Sequence, residues 1–111
     1  MKKGATYLGE FELIVMLAVL RLGEDAYGAR IWEEIETRTG RSVIIAAVYA
    51  ALERLERKRY ISSWVGDPTP VRGGRAKRYF LIQRRGLEAV ERSRKIIASM
   101  WDGLAPTLGK L

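Results

Sequence analysis

The order of apolar and polar residues predicts that the chain begins with a helix over residues 8–22. At 3.6 residues per turn its apolar positions cover nearly every side of the helix: Phe11, Leu13, Ile14, Val15, Met16, Leu17, Val19, Leu20 and Leu22. A helix of this kind must be covered on more than one face. In a chain this small, a second copy of the chain can supply one of those covers. The alternative is a central core helix in a monomer.

A second helix is predicted by apolar residues that recur at steps of four, namely Tyr27, Ile31 and Ile35. Asp25 stands where its carboxylate can accept hydrogen bonds from the first amides of this helix. Gly28 is a weak helix former in the first turn, which indicates close backbone approach by a neighbour. After the helix, residues 42–43 are expected to form a short strand.

Helical periodicity returns over residues 45–58. One stripe is apolar and consists of Ile45, Val48, Leu52 and Leu55. The opposite face is small and basic and consists of Ala46, Ala47, Ala50, Arg54 and Arg57. Two helices joined by a few residues, the second with such a face, suit a reader of the DNA major groove, because the groove admits one helix and bulky side chains would hold it away. An ordinary alanine-rich surface helix would show the same pattern.

Two strands are predicted at residues 61–65 and 76–82, which are rich in β-branched and aromatic side chains. The loop between them carries Arg72 and Arg75, and Lys77 and Arg78 follow directly. A hairpin of this charge beside a reading helix can lie along phosphates or enter a minor groove. Its two adjacent glycines on their own indicate only a turn.

A last helix is predicted from residue 84 to about residue 104, with two partly apolar rows. One row contains Leu87, Val90, Arg94, Ile97, Trp101 and Leu104, and the other contains Ala89, Ser93, Ile96 and Met100. One face can pack within the domain and the other on a partner. The alternative is that the helix returns onto the first helix of the same chain. Together these segments predict a mainly α (α+β) fold, a winged helix-turn-helix domain at residues 8–82 followed by a dimerisation helix at residues 83–105, which packs with the first helix.

Charge narrows the class of partner. Residues 1–40 carry 5 positive and 7 negative charges, whereas residues 41–111 carry 15 positive and 6 negative ones. A basic half of a small domain is typical of proteins that bind polyanions, although it also serves solubility or binding to anionic membranes.

The chain contains neither cysteine nor histidine. A disulfide framework, a thiolate metal site and a thiol nucleophile are therefore excluded, and the usual general base near neutral pH is missing. We expect no enzyme activity, no cofactor and no bound metal. The longest apolar run, residues 13–20, is far shorter than the roughly 18–20 residues that span a bilayer. No membrane association and a cytoplasmic location are expected, since the lack of cysteine suits a reducing compartment.

Four motifs in order resemble the PadR-like transcriptional regulators, in particular the short subfamily with one winged domain and a single C-terminal helix. They are Leu8-Gly9-Glu10, Asp25-Ala26-Tyr27-Gly28, Ala47-Val48-Tyr49-Ala50-Ala51-Leu52-Glu53-Arg54-Leu55 and Gly73-Gly74-Arg75-Ala76-Lys77-Arg78-Tyr79. The resemblance covers residues 8–104. It implies a prokaryotic regulator, usually a repressor, that binds DNA as a homodimer.

The resemblance implies that the third helix enters the major groove and that the wing contacts the flanking backbone or minor groove. The expected DNA contacts are Ala47, Tyr49, Ala50, Arg54, Arg72, Arg75 and Lys77. The two-fold symmetry of a dimer would make the double-stranded operator an inverted repeat with half-sites about one helical turn apart.

The expected dimer interface consists of Leu87, Val90, Ile97, Trp101 and Leu104. Some short members of the family hold flat aromatic drugs between their subunits, which suggests a small aromatic effector near Phe11, Met16 and Trp101, although a tryptophan at such a position also serves simple dimer packing. The competing functional class is a winged-helix module that binds another protein and no DNA.

Three positions depart from the family pattern. Ile44 stands where a polar residue often caps the third helix, Arg59 where a glycine often ends it, and Gln83 where a threonine often caps the last helix. Because Ile44 offers no acceptor, the first amides of the third helix are expected to lack a side-chain cap. Arg59 is expected to be mildly strained if its φ is positive. With alanines on the reading face, direct readout is expected to rely on thymine methyl groups and Arg54, supplemented by DNA shape.

Overall fold

The computed structural model of the chain describes residues 7–67 and 76–104. Its elements follow the predicted order of helices and strands. They are α1 (Glu10–Leu22), a 3₁₀ turn (Gly23–Asp25), α2 (Gly28–Thr39), α3 (Ile45–Arg57), β1 (Ile61–Val65), β2 (Arg78–Ile82) and α4 (Arg84–Trp101). The predicted mainly α, winged helix-turn-helix fold is confirmed. The division into a domain at residues 8–82 and a dimerisation helix at residues 83–105 stays a prediction.

The central element is α1, which contacts α2, α3, β2 and α4. Val15 and Met16 of α1 are fully buried, together with side chains from the other elements: Ile31, Ile35, Val48, Leu52, Leu55 and Ile61. Leu17 and Leu20 on the same helix remain exposed. The chain therefore covers most sides of this apolar helix by itself and leaves one side open.

The start of α2 differs from the prediction. Its N-cap is Tyr27, which makes no side-chain capping bond. Asp25 ends the 3₁₀ turn, and its carboxylate accepts a hydrogen bond from Arg30 Nε at 3.4 Å. The role predicted for Asp25 as the cap of α2 is wrong, because the turn that precedes α2 places it two residues before the N-cap.

The strand predicted at Ser42 and Val43 is also absent, since residues 40–44 form neither helix nor strand. Val43 is instead held by side chains of α2. Its amide donates to Glu36 Oε2 at 2.7 Å, and its carbonyl accepts from Trp32 Nε1 at 2.7 Å. These two bonds satisfy the backbone that a partner strand would otherwise have to pair.

The wing is an antiparallel pair in which Ile61 lies opposite Ile82 and Val65 lies opposite Arg78. The second strand begins at Arg78, two residues later than predicted. The Phe80 amide donates to the Ala26 carbonyl at 2.8 Å, which ties the hairpin to the segment before α2. The wing is therefore anchored to the helix-turn-helix.

The C-terminal half of α4 extends beyond the core. Its buried residues all lie between Gly86 and Ser93 and are Gly86, Ala89, Val90 and Ser93. The other apolar side chains of the helix are exposed: Leu87, Ile96, Ile97, Met100 and Trp101. Within the two described ranges, no helix has the length and apolar character needed to cross a bilayer.

Candidate nucleic-acid interface

The face of α3 that points away from the core is open. Val48, Ala51, Leu52 and Leu55 are buried, whereas Ala46, Ala47, Ala50, Glu53 and Arg57 are exposed. At 100° per residue, Ala46, Ala50, Glu53 and Arg57 share the outermost side. Three of the predicted contact residues, Ala47, Tyr49 and Ala50, therefore lie on accessible surface of one helix. The central acidic residue, Glu53, pairs with Arg57 one turn later, at 3.7 Å.

The start of α3 is uncapped, as expected. Ile44 occupies the N-cap with φ −78° and ψ 128° and makes no side-chain capping bond. Its side chain is 74% exposed, and Ile45, which was predicted in the buried stripe, is also exposed. An apolar pair thus stands at the leading end of the helix. Arg59, two residues after α3, has a positive φ of 65°, which is the condition under which mild strain was expected.

Tyr49 packs against the start of α2. A Cβ on Gly28 would lie 2.3 Å from Tyr49 Cε1, so only glycine leaves room for this ring. The predicted close approach at Gly28 is confirmed, although the neighbour is a side chain rather than backbone. Tyr49 is half-exposed, and its hydroxyl lies beside Gly28 on the flank of α3 that faces α2.

Arg54 lies on the other flank and is bound to α1. Its Nε donates to Glu12 Oε2 at 3.1 Å, and Lys58 Nζ approaches Glu12 Oε1 at 3.4 Å. Glu12 is only 9% exposed. Burial alone would raise the pKa of Glu12, but the hydrogen bond from Arg54, the charge of Lys58 and the Gly9 amide together hold it below the ordinary value. Arg54 therefore holds α3 against α1, and a contact between Arg54 and DNA would have to share its guanidinium with Glu12.

Replacing Glu12 tests this ion pair. The pKa of Glu12 is lower in the folded state than in the unfolded state, so its ion pair stabilises the fold at pH values above the unfolded glutamate pKa of about 4.3. This stabilisation is lost as the pH falls through the lowered pKa of the folded state. Glu12→Gln should lower the free energy of unfolding by about 1–2 kcal/mol near pH 7, a modest loss because Arg54 is partly exposed. Urea unfolding followed by circular dichroism measures this difference.

The difference between Glu12→Gln and the wild type should shrink as the pH is lowered below the glutamate range. Glu10→Gln is the matched control, since Glu10 pairs with Arg41 at 3.2 Å in an exposed position and should contribute within about 0.5 kcal/mol. A loss in Glu12→Gln that stays constant from neutral to acid pH would contradict the role of the carboxylate charge.

Lys77 stands at the base of the wing. Its Nζ lies 5.0 Å from the centroid of the Tyr27 ring, a cation–π distance. The Tyr27 ring meets Tyr79 edge-on at 5.6 Å, and Tyr79 stacks on Trp64 at 4.7 Å. Because Tyr27 precedes Gly28, this aromatic stack brings Lys77 close to the flank that carries Tyr49. Arg72 and Arg75, the other predicted wing contacts, lie outside the described residues.

A polar bridge connects the wing to α3. Ser63 Oγ donates to Glu56 Oε2 at 2.6 Å, and Arg78 Nη1 donates to Ser63 Oγ at 2.9 Å. These bonds join the last turn of α3 to both strands of the wing. The angle between the exposed helix and the basic hairpin is therefore fixed by Glu56 and Ser63, which the sequence did not point to, together with Arg78, which it indicated only as a charge of the wing.

Most of the predicted dimer residues are available for contact, with one exception. Leu87, Ile97, Trp101 and Leu104 are exposed. Val90 is 9% exposed and belongs to the core of its own chain. Its place in the interface stays a prediction, and within the single chain it packs in the core.

The predicted effector residues do not form one cavity. Met16 is fully buried, and its Cε lies 2.9 Å from the position of a Cβ on Gly86, so it is a core residue. Phe11 is partly buried against the core and Trp101 is exposed. A groove of about 380 Å³ lies instead between the start of α1 and the middle of α4, lined by Tyr7, Leu8, Glu10, Leu13, Ser93, Ile96 and Ile97.

Comparison with known proteins agrees with the winged-helix fold. The sequence model described as "Transcriptional regulator PadR-like family" matches residues 16–92. A Lysinibacillus sphaericus protein named only as uncharacterized protein X is 35% identical over 80 residues, which are 70% of this chain and 69% of that protein.

Two solved structures show the same fold. One is a PadR family transcription regulator from Clostridium difficile R20291, with a TM-score of 0.71 and 20% identity over 88% of this chain and 98% of that one. The other is a PadR family transcriptional regulator from Eggerthella lenta, with a TM-score of 0.67 and 22% identity over 89% and 86%. These relatives are transcriptional regulators rather than enzymes. By its sequence match, the present chain belongs to the PadR-like family of transcriptional regulators.

Proposed function

We propose that this protein binds a specific double-stranded DNA operator and represses transcription from it. The observation that carries this proposal is the exposed, alanine-rich face of α3, held at a fixed angle to a basic hairpin by the Glu56, Ser63 and Arg78 bridge. Short side chains allow the helix to enter a major groove while the hairpin reaches the adjacent phosphates. The excess of 15 positive over 6 negative charges in residues 41–111 suits a phosphate backbone.

Within this proposal, Tyr49 and Lys77 flank α3 on the side of α2, and Ala47 and Ala50 allow close approach to the bases. Arg72 and Arg75, in the segment that joins the two strands, supply most of the attraction to phosphate. Arg54 contributes where it can share its guanidinium between Glu12 and DNA. Affinity then comes mainly from the wing, and α3 provides the fit.

The working unit of the proposal is a homodimer. Several apolar side chains at the C-terminal end of the chain's described part remain exposed beside the charged residues of α4. Ile97 and Trp101 stand one turn apart on α4, Leu87 lies nearer its start and Leu104 follows its end. Leu17 and Leu20 on α1 are also exposed. Two copies joined through these helices would present two reading helices, and the operator would be an inverted repeat with half-sites about one helical turn apart.

A small aromatic effector would act at the groove between α1 and α4. The groove of about 380 Å³ is of a size that small ligands occupy, and its walls are mainly apolar. Because α4 also carries the exposed residues proposed for dimerisation, a ligand seated there would alter the distance between the two reading helices.

A charge-removal experiment tests DNA binding. Arg72→Ala combined with Arg75→Ala should weaken binding to the promoter region of the protein's own gene several-fold or more, because two phosphate contacts are lost. The slope of log affinity against log salt concentration should fall by about two. Fluorescence anisotropy titrations over a range of salt concentrations measure both quantities.

The matched control is Arg92→Ala combined with Lys95→Ala, which removes the same charge from the exposed surface of α4. Equal loss of affinity in the two double variants would show that net charge, and not the wing, drives binding. A wild-type protein that binds neither the promoter nor a random duplex at low salt would contradict DNA binding and favour a protein partner.

A further inference from the structure

Ile44 is the most exposed large apolar residue among those that residues 7–67 and 76–104 contain, at 74%. It occupies the N-cap of α3, and its side chain makes no capping bond. Neither packing in the core nor capping of the helix explains an isoleucine at this position. The side chain therefore stands free at the leading end of the helix proposed to enter DNA.

The surroundings of Ile44 favour contact with base edges. Ile45, which follows it, is 38% exposed, and the next residues on the outer surface of α3 are short, at Ala46, Ala47 and Ala50. These short side chains let the helix approach closely, which brings an exposed isoleucine at its start within reach of base edges. The nearest cation before it, Arg41, pairs with Glu10 at 3.2 Å and is directed toward α1. The leading end of α3 thus presents an exposed apolar pair, of which Ile44 is the more exposed member, followed by small side chains.

The major groove offers one kind of apolar group, the C5 methyl of thymine. The other groups on the base edges are donors or acceptors, which an isoleucine could only desolvate without pairing. We propose that Ile44 reads the C5 methyl group of a thymine at one fixed position of each half-site. This inference rests on the proposed DNA binding and adds the base that α3 selects.

The test removes the methyl group and the side chain in turn. Selection from a random duplex library with the full-length wild-type protein first defines the half-site. Each thymine of that site is then replaced singly by deoxyuridine, which keeps the base pair and deletes only the methyl group. For the wild type, replacement at one position per half-site should weaken binding about three- to tenfold, which corresponds to a typical contact with one base.

In Ile44→Ala the same deoxyuridine replacement should change affinity less than twofold, because the partner of the methyl group is gone. Leu81→Ala is the matched control, since Leu81 is an exposed apolar residue of the wing, and it should keep the full wild-type response to deoxyuridine. Circular dichroism should show that both variants fold, as each replaces a side chain that lies on the surface.

The outcomes separate this inference from the proposed function. Binding to a selected site that tolerates deoxyuridine at every thymine would overturn the role of Ile44 and leave DNA binding intact. A full deoxyuridine response in Ile44→Ala would also overturn it. Failure to select or bind any duplex at low salt would overturn both the inference and the DNA-binding proposal.

Discussion

Gly86→Ala is expected to lower the free energy of unfolding by about 3 kcal/mol, at the upper end of the usual cost of overpacking. A Cβ at this position would lie 2.2 Å from the Tyr60 carbonyl oxygen and 2.9 Å from Met16 Cε. The Tyr60 carbonyl is backbone and already accepts the Gln83 amide at 2.9 Å, so it cannot turn aside. The clash can be relieved only if α4 moves away from α1, which opens the core.

Gly28→Ala is the matched control, because the same substitution creates an equally short contact with a different partner. Its Cβ would lie 2.3 Å from Tyr49 Cε1, but the Tyr49 ring is half-exposed and can rotate toward solvent. The expected loss is at most about 1 kcal/mol. Urea unfolding midpoints for the two variants measure the difference, and equal losses would show that α4 is not seated on the Tyr60 backbone as described.

The helices α2 and α3 were predictable because each buries a single continuous face. The steps of four from Tyr27 to Ile35 predicted α2, and the stripe from Val48 to Leu55 predicted α3, because burial of one side imposes helical spacing on the sequence. The first strand was predicted at its observed bounds, Ile61–Val65. Local sequence patterns were sufficient to predict an element wherever hydrogen bonds within the helix or hairpin satisfy its backbone.

Residues 42–43 show where local patterns were not sufficient. A β-branched residue favoured a strand there, but the backbone of Val43 is satisfied by side chains of Trp32 and Glu36 from a preceding helix. Local patterns also could not predict the ion pair between Arg54 and Glu12. The two residues are 42 positions apart in sequence and meet only when α1 packs on α3. An acidic residue at the start of an apolar helix was the one signal that could have pointed to a buried ion pair.

Val90 shows a related limit of local patterns. Periodicity identified two apolar rows on α4 but could not say which row faces the core of the same chain. The structure buries a strip of mostly small residues, Gly86, Ala89 and Ser93, and Val90 lies beside that strip. Small residues at spacings of three and four allow close packing of helices. Their spacing was therefore the signal for the face of α4 that packs on the core of its own chain. The larger residues of the helix then remain for another contact.

Trp101→Asp should convert the proposed dimer into a monomer at micromolar concentration. Trp101 ends α4 and is 54% exposed in the single chain, with Ile97 exposed one turn earlier. A buried aromatic residue at the centre of an interface commonly contributes 2–4 kcal/mol, which corresponds to a rise in the dissociation constant of about 30- to 1,000-fold. Placing a carboxylate there would add the cost of burying an unpaired charge. Sedimentation equilibrium measures the change.

Val65→Asp is the control, since it introduces the same charge at an exposed apolar position of the wing and should leave the dimer intact. A monomeric wild type, or an unchanged dissociation constant in Trp101→Asp, would refute the proposed assembly. Because Trp101 lies outside the core of the chain, the variant should keep its fold and its monomer stability. Any loss of operator affinity in Trp101→Asp would then be due to separation of the two reading helices, because a folded monomer can occupy only one half-site at a time.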